Sequence, residues 1–157
     1  MDKNLICYFS ASGITKDVAE KIRGAISGDL FEIEPEIRYS QDDLDWTNND
    51  SRSTIEMKDE MCRPKVKNKV NNLGDYHNII LGFPIWWYTY PRIISTFIEE
   101  NDLSGKDIYV YVTSGSSGYN KSFNDLVSNY PNLHFVKGIR FPKDVTYDEI
   151  KDFMKKE

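Results

Sequence analysis

Apolar and polar positions along this chain alternate between two regimes: short unbroken apolar runs, and longer stretches in which apolar residues return every three or four positions. Leu5-Ile6-Cys7-Tyr8-Phe9 is a run of the first kind, too short for a helix and without polar alternation, as suits a strand covered on both faces. Ile14, Val18, Ala19, Ile22, Ala25 and Ile26 then recur at helical spacing until Ser27-Gly28-Asp29 breaks the pattern. Leu30 to Glu34 reads as a second strand ended by Pro35, and Tyr76 to Phe83 as a third halted by Pro84. Pro91 suits the first turn of a helix whose apolar face is Ile94, Phe97 and Ile98. Asp107 to Thr113 gives a fourth strand, and Phe123, Leu126 and Val127 mark the next helix. Either Leu133 to Val136 or Ile139 to Phe141 supplies a short fifth strand, before a closing helix faced by Tyr147, Ile150, Phe153 and Met154.

Regular alternation of strand and helix forces crossover connections, which are right-handed almost without exception, and the result is an α/β doubly wound parallel sheet with helices on both faces. The 157 residues fit one domain, 1–157, long enough to bury a real core. Between about 36 and 72 the chain turns polar, with scattered apolar residues, and a partly helical excursion is expected there. Within it Trp46 is expected to anchor the segment against something apolar. From Glu32 to Glu60 there are ten acidic residues against three basic ones, while the whole chain carries a net charge of −5. Such a run is a solvated surface or a face that steers a basic partner.

Charge also excludes partners. No Lys/Arg cluster coincides with an aromatic row, which argues against a nucleic-acid backbone. The first residues form neither a secretory signal nor a membrane span, and a cytoplasmic location is expected. Cys7 and Cys62 have no metal or redox spacing, and His77 and His134 stand apart in sequence without neighbouring ligands, so no metal site is expected. Aromatic residues make up 13% of the chain and need a location.

The chemistry concentrates where the first strand ends. Tyr8-Phe9-Ser10-Ala11-Ser12-Gly13-Ile14-Thr15-Lys16 runs from an apolar strand through a hydroxyl-rich turn into a helix N-terminus, where unpaired N–H groups attract an anion and Gly13 admits close approach. Four or five neutral donors, each worth about 1.5–3 kcal/mol toward a charged group, could hold one phosphate without a salt bridge. The same serines and Thr15 could do no more than cap the helix and tighten a turn. Neither the dinucleotide glycine pattern nor the P-loop can be written onto these residues, so a monophosphate is favoured over a polyphosphate.

Ser-x-Ser-Gly-x-Thr after a first strand resembles the phosphate loop of the flavodoxins. Gly82-Phe83-Pro84-Ile85-Trp86-Trp87-Tyr88 is similar to the flavin loop of a subgroup carrying Pro-Ile-Trp-Trp, and the likeness continues through Asp43 to Thr47 and Thr113 to Gly118. The resemblance implies strand order 2-1-3-4-5 and an FMN cofactor. It places Ser10, Ser12, Gly13, Ile14 and Thr15 on the phosphate, Pro84, Ile85, Trp86, Trp87 and Tyr88 on one side of the flavin, and Ser114, Gly115 and Gly118 on the other. Ligands of open parallel sheets lie beyond the carboxyl ends of the strands, where all three loops would meet.

The role expected from this site is low-potential electron transfer between redox partner proteins, one of them with a basic docking face. A neutral phosphate grip and a tight pocket both disfavour added negative charge on the flavin. The main alternative is an NAD(P)H-dependent flavin or quinone reductase on the same fold, and the other is a non-redox signalling or binding module. The third loop has no aromatic before Tyr119, which separates this chain from familiar electron-carrying flavodoxins.

Overall fold

The structure, a computed structural model, describes residues 3–114 and 117–155. Five parallel strands form one sheet in the order β2-β1-β3-β4-β5: β1 (Asn4–Tyr8), β2 (Asp29–Glu32), β3 (Asn78–Pro84), β4 (Asp107–Thr113) and β5 (His134–Arg140). This is the expected doubly wound order. The connections carry α1 (Ile14–Ile26), α2 (Arg52–Lys58), α3 (Arg92–Glu100) and α4 (Asn120–Asn129), and α5 (Tyr147–Met154) follows β5.

Strand alternation splits the core into two layers. Ile108, Val110 and Val112 of β4 join Leu5, Cys7, Leu81 and Phe83 on one face, covered by Ile93, Ile94 and Phe97 of α3 and Leu126 of α4. Tyr109 and Tyr111 point the other way with Ile6, Tyr8 and Ile80, beneath Val18, Ala19 and Ile22 of α1 and Ile150 and Phe153 of α5. Each aliphatic side chain so buried contributes about 1.5–3 kcal/mol, which is why the strand runs lack polar residues. A helix start is fixed by a capping box on α5, where Thr146 and Glu149 satisfy each other's backbone N–H groups.

Two expectations need correction. The fifth strand is a single seven-residue element spanning both alternatives, because the register slips between Ile108 and Tyr109 and leaves Val136 bulged. A bulge reverses the in–out alternation, so one strand looks like two fragments. The second correction concerns the excursion. Trp46 is not its anchor: it is 74% exposed. Tyr39 takes that place instead, with its ring edge-to-face on Phe9 and Trp86, its hydroxyl donating to Glu56 Oε1 at 2.6 Å, and the Arg52 guanidinium stacked 3.8 Å from its ring centre. Arg52 in turn bonds Glu56 through Nε at 3.0 Å and the Ile37 carbonyl through Nη1 at 2.7 Å. Burial and the Glu56 carboxylate push the Tyr39 phenol far above its ordinary range, so this bond keeps its proton. No helix among the described residues is long and apolar enough to cross a membrane.

Candidate functional site at the carboxyl edge of the sheet

Beyond Tyr8 the chain rises to Phe9 and turns. Gly13 adopts φ 98°, a left-handed conformation in which a side chain would be strained, and α1 begins at the next residue. Ser10 Oγ accepts from the N–H groups of Gly13 at 3.1 Å and Lys16 at 3.2 Å, so Ser10 ties down the helix start from four residues ahead of Ile14. The N–H groups of Ser12, Ile14 and Thr15 make no hydrogen bond among the described residues, and Ser12 is exposed. Three main-chain donors thus stand open at the positive end of α1. Thr15 behaves differently. It is 2% exposed, and its Oγ1 lies 2.7 Å from Thr113 Oγ1 at the end of β4.

At the end of β3, Pro84 closes the strand and Ile85 N–H donates to the Thr113 carbonyl. Trp86 and Thr89 exchange both backbone hydrogen bonds at 3.0 Å, making a two-residue hairpin whose tip is Trp87 at φ 48° and Tyr88 at φ 68°. A two-residue turn with positive φ at both tip residues suits Asn-Gly and costs large side chains. Two aromatics held there are a strained arrangement at a surface. Trp86 turns inward, its ring 5.5 Å from Phe9, so the residue before the Ser10–Thr15 turn touches the residue before the strained tip. Trp87 and Tyr88 remain 37% and 72% exposed.

A cleft of about 400 Å³ lies along this hairpin, lined by Ile85, Trp86, Trp87 and Tyr88, by Leu44, Trp46 and Ser53 of the excursion, and by Ser117 of the third loop. A second depression of about 240 Å³ runs beside the Ser10–Thr15 turn and is lined by Ser10, Gly13 and Tyr39, with Lys16, Arg38, Glu32 and Glu34 also on its walls. In the third loop Ser114 is clamped by Arg140, which donates to its Oγ at 3.1 Å and its carbonyl at 2.7 Å. Gly118 is exposed, and Gly115 lies outside the described residues.

The three loops singled out in the sequence therefore meet at one edge, but their side chains divide the work unevenly. Ser12, Ile14 and Thr15 offer open N–H groups, Ser10 and Thr15 hold the turn from within, and Trp86 both packs on Phe9 and Tyr39 and lines the cleft. Leu44, Trp46, Ser53 and Ser117 line the cleft without having been singled out as site residues. For Trp46 the sequence carries a signal, a tryptophan in an otherwise polar stretch, and the structure has it lining the cleft while 74% exposed.

The family model described as flavodoxin matches residues 3–157. The chain belongs to the flavodoxin family. Among solved structures, a candidate flavoprotein from Bacteroides eggerthii DSM 20697 is 41% identical, with a TM-score of 0.96 over 98% of this chain and 96% of that one. A second candidate flavoprotein, from Bacteroides uniformis ATCC 8492, is 40% identical with a TM-score of 0.93 over 99% of both chains. A flavoprotein from Lactobacillus acidophilus NCFM, solved in complex with FMN, shares the fold at 19% identity, with a TM-score of 0.77 over 99% of this chain and 100% of that one. Among curated proteins, the uncharacterized NAD(P)H oxidoreductase YcaK of Escherichia coli (strain K12) is 27% identical over 59 residues, 38% of this flavodoxin-family chain. That match spans only 26% of YcaK, about a quarter of its length.

Proposed function

We propose that the chain binds FMN at the carboxyl edge of its sheet and works as a low-potential electron carrier between redox proteins. The observation that carries this reading is the contiguity of three open N–H groups and an aromatic-lined cleft, joined through the Phe9–Trp86 contact. The residues present fit the cofactor: the donor set is anion-seeking and uncharged, and the cleft is lined mostly by aromatic and aliphatic side chains. Ser12, Ile14 and Thr15 would hold the phosphate through their N–H groups and the Ser12 hydroxyl, with Ser10 and Gly13 shaping the turn that presents them. Pro84, Ile85, Trp87 and Tyr88 would border the ring on one side with Trp46 across the cleft, and Ser114, Gly115 and Gly118 would approach it from the third loop.

When bound, FMN supplies one- and two-electron redox chemistry. The chain's part is to exclude water with Trp46, Trp87 and Tyr88 and to fix the ring's polar edge with hairpin backbone. An uncharged phosphate grip leaves the phosphate's own charge in place, and Lys16 and Arg38 beside the turn are balanced in number by Glu32 and Glu34. Both features favour a low potential. The excursion's carboxylates, Asp42, Asp43, Asp45 and Asp50, flank exposed Trp46 and would steer a basic partner to the cleft at a rate that falls with salt. A cytoplasmic setting goes with this role.

The second reading, an NAD(P)H-dependent reductase, is favoured by the openness of the cleft at Trp46 and Tyr88 and by the short stretch of likeness to YcaK. Stepwise reduction of the purified protein under nitrogen, followed in the visible spectrum, tests the carrier. A flavin spectrum at one equivalent, with no reduction by NAD(P)H alone within seconds, is the expected result. Rapid reduction by NAD(P)H without a partner protein overturns the carrier in favour of the reductase.

A further inference from the structure

Thr113 stands 98 residues from Thr15, yet its hydroxyl is the partner of the Thr15 hydroxyl inside the first turn of α1. Two residues earlier on the same face of β4, Tyr111 is fully buried and donates from its hydroxyl to the Thr15 carbonyl at 2.9 Å. The ring of Tyr111 fills the space above Gly82, where any Cβ would run into it, so its place there depends on the missing side chain at that position. A single residue at the start of α1 is therefore gripped through both its side chain and its main chain by two consecutive inward positions of β4. The Thr113 carbonyl, meanwhile, accepts from Ile85 N–H at the root of the aromatic hairpin.

We infer that Thr113 is a positioning residue for the anion site: by holding Thr15 from below it aims the open N–H groups of Ser12, Ile14 and Thr15 at a common point. The inference rests on the FMN reading for its natural ligand, and on the geometry of the turn for its mechanism. It also gives Thr15 two contacts with the anion: either hydroxyl of the Thr15–Thr113 pair can be the donor, so a Thr15 hydroxyl that accepts from Thr113 keeps its own proton for the anion beside its N–H group. Convergent donors act on a compact dianion and matter little to an uncharged ribityl hydroxyl, so the signature is selective loss of the phosphate-bearing ligand.

The test uses Thr113→Val, which keeps the shape and removes the hydroxyl, with Thr113→Ser as the rescuing variant. Dissociation constants for FMN and riboflavin come from flavin fluorescence, and inorganic phosphate is titrated against the amide signals of Ser12 to Thr15. Loss of one hydroxyl contact corresponds to about a ten-fold weaker FMN affinity, with riboflavin within about two-fold and Thr113→Ser close to the parent. Phosphate shifts at Ser12, Ile14 and Thr15 should weaken in parallel. An unchanged preference for FMN over riboflavin in Thr113→Val overturns the assignment, and so does an equal loss of both flavins. If the unmodified protein takes inorganic phosphate at this turn but not FMN, the FMN reading fails, and the Thr113 assignment is still decided by the phosphate shifts of the variants. If it takes neither, both fail.

Discussion

The two edges of the same sheet are built on opposite rules. At the amino edge the strands open on Asn4, Asp29, Asn78, Asp107 and His134, and these polar residues are tied to one another or to a neighbour. Asn78 Nδ2 donates to Asn4 Oδ1 at 2.9 Å, Tyr76 donates to Asp29 at 2.6 Å, and Asp107 receives both His134 at 2.9 Å and His77 at 3.3 Å. At the carboxyl edge the N–H groups of Ser12, Ile14 and Thr15 are open, Trp46 and Tyr88 are exposed, and two aromatics hold positive φ. One edge spends its polar groups on itself, and the other leaves them for a ligand. Stability and binding are thereby separated by the length of a strand, and substitutions should sort by edge.

The largest effect is expected between the edges, at a residue both depend on. Gly82→Ala forces a methyl into the buried Tyr111 ring and should cost about 3 kcal/mol in urea unfolding, with flavin binding lost alongside. At the carboxyl edge the pair Trp87→Asn and Tyr88→Gly supplies the residues that the hairpin tip prefers. It should raise unfolding stability by about 1–2 kcal/mol while weakening FMN by more than about ten-fold, an opposition that a purely structural hairpin would not produce. At the amino edge Asp107→Asn should cost about 1 kcal/mol with FMN affinity unchanged, and a matching loss of affinity would break the separation. The smallest effect lies on the flank, where Arg63 Nε meets both oxygens of Glu99 at 3.0 Å and holds its carboxyl below the ordinary value of 4.5. A depressed carboxyl contributes stability above that value, and the contribution fades as pH falls through the folded value. Glu99→Gln should therefore be slightly less stable near neutrality and indistinguishable from the parent in strong acid.

Sequence reading reached the fold because the three central strands are buried on both faces and the helices bury one face, and those demands leave periodic traces in the side chains. Val136 escaped because a bulge leaves no mark except a broken alternation. At the site, backbone donors were legible through Ser12, Gly13 and the helix that follows, since a strand–turn–helix junction opens N–H groups whatever the side chains are. What joins the loops was not legible. Thr113 reads as the last residue of an apolar strand, Tyr39 as a scattered aromatic, and Arg52 as one charge in an acidic stretch, because their partners Thr15, Trp86 and Glu56 are brought to them only by the folded topology. Two histidines 57 positions apart in numbering, His77 and His134, likewise meet on one carboxylate that neither neighbourhood announces.

The most direct test of the division between edges is to map amide chemical shifts while FMN is titrated into the protein. Saturable shifts at Ser12 to Thr15 and at Ile85 to Thr89, with Asn78, Asp107 and His134 unmoved at one equivalent, are the expected outcome. Saturation without any shift at Ser12, Ile14 and Thr15, or shifts concentrated at the amino edge, would contradict it.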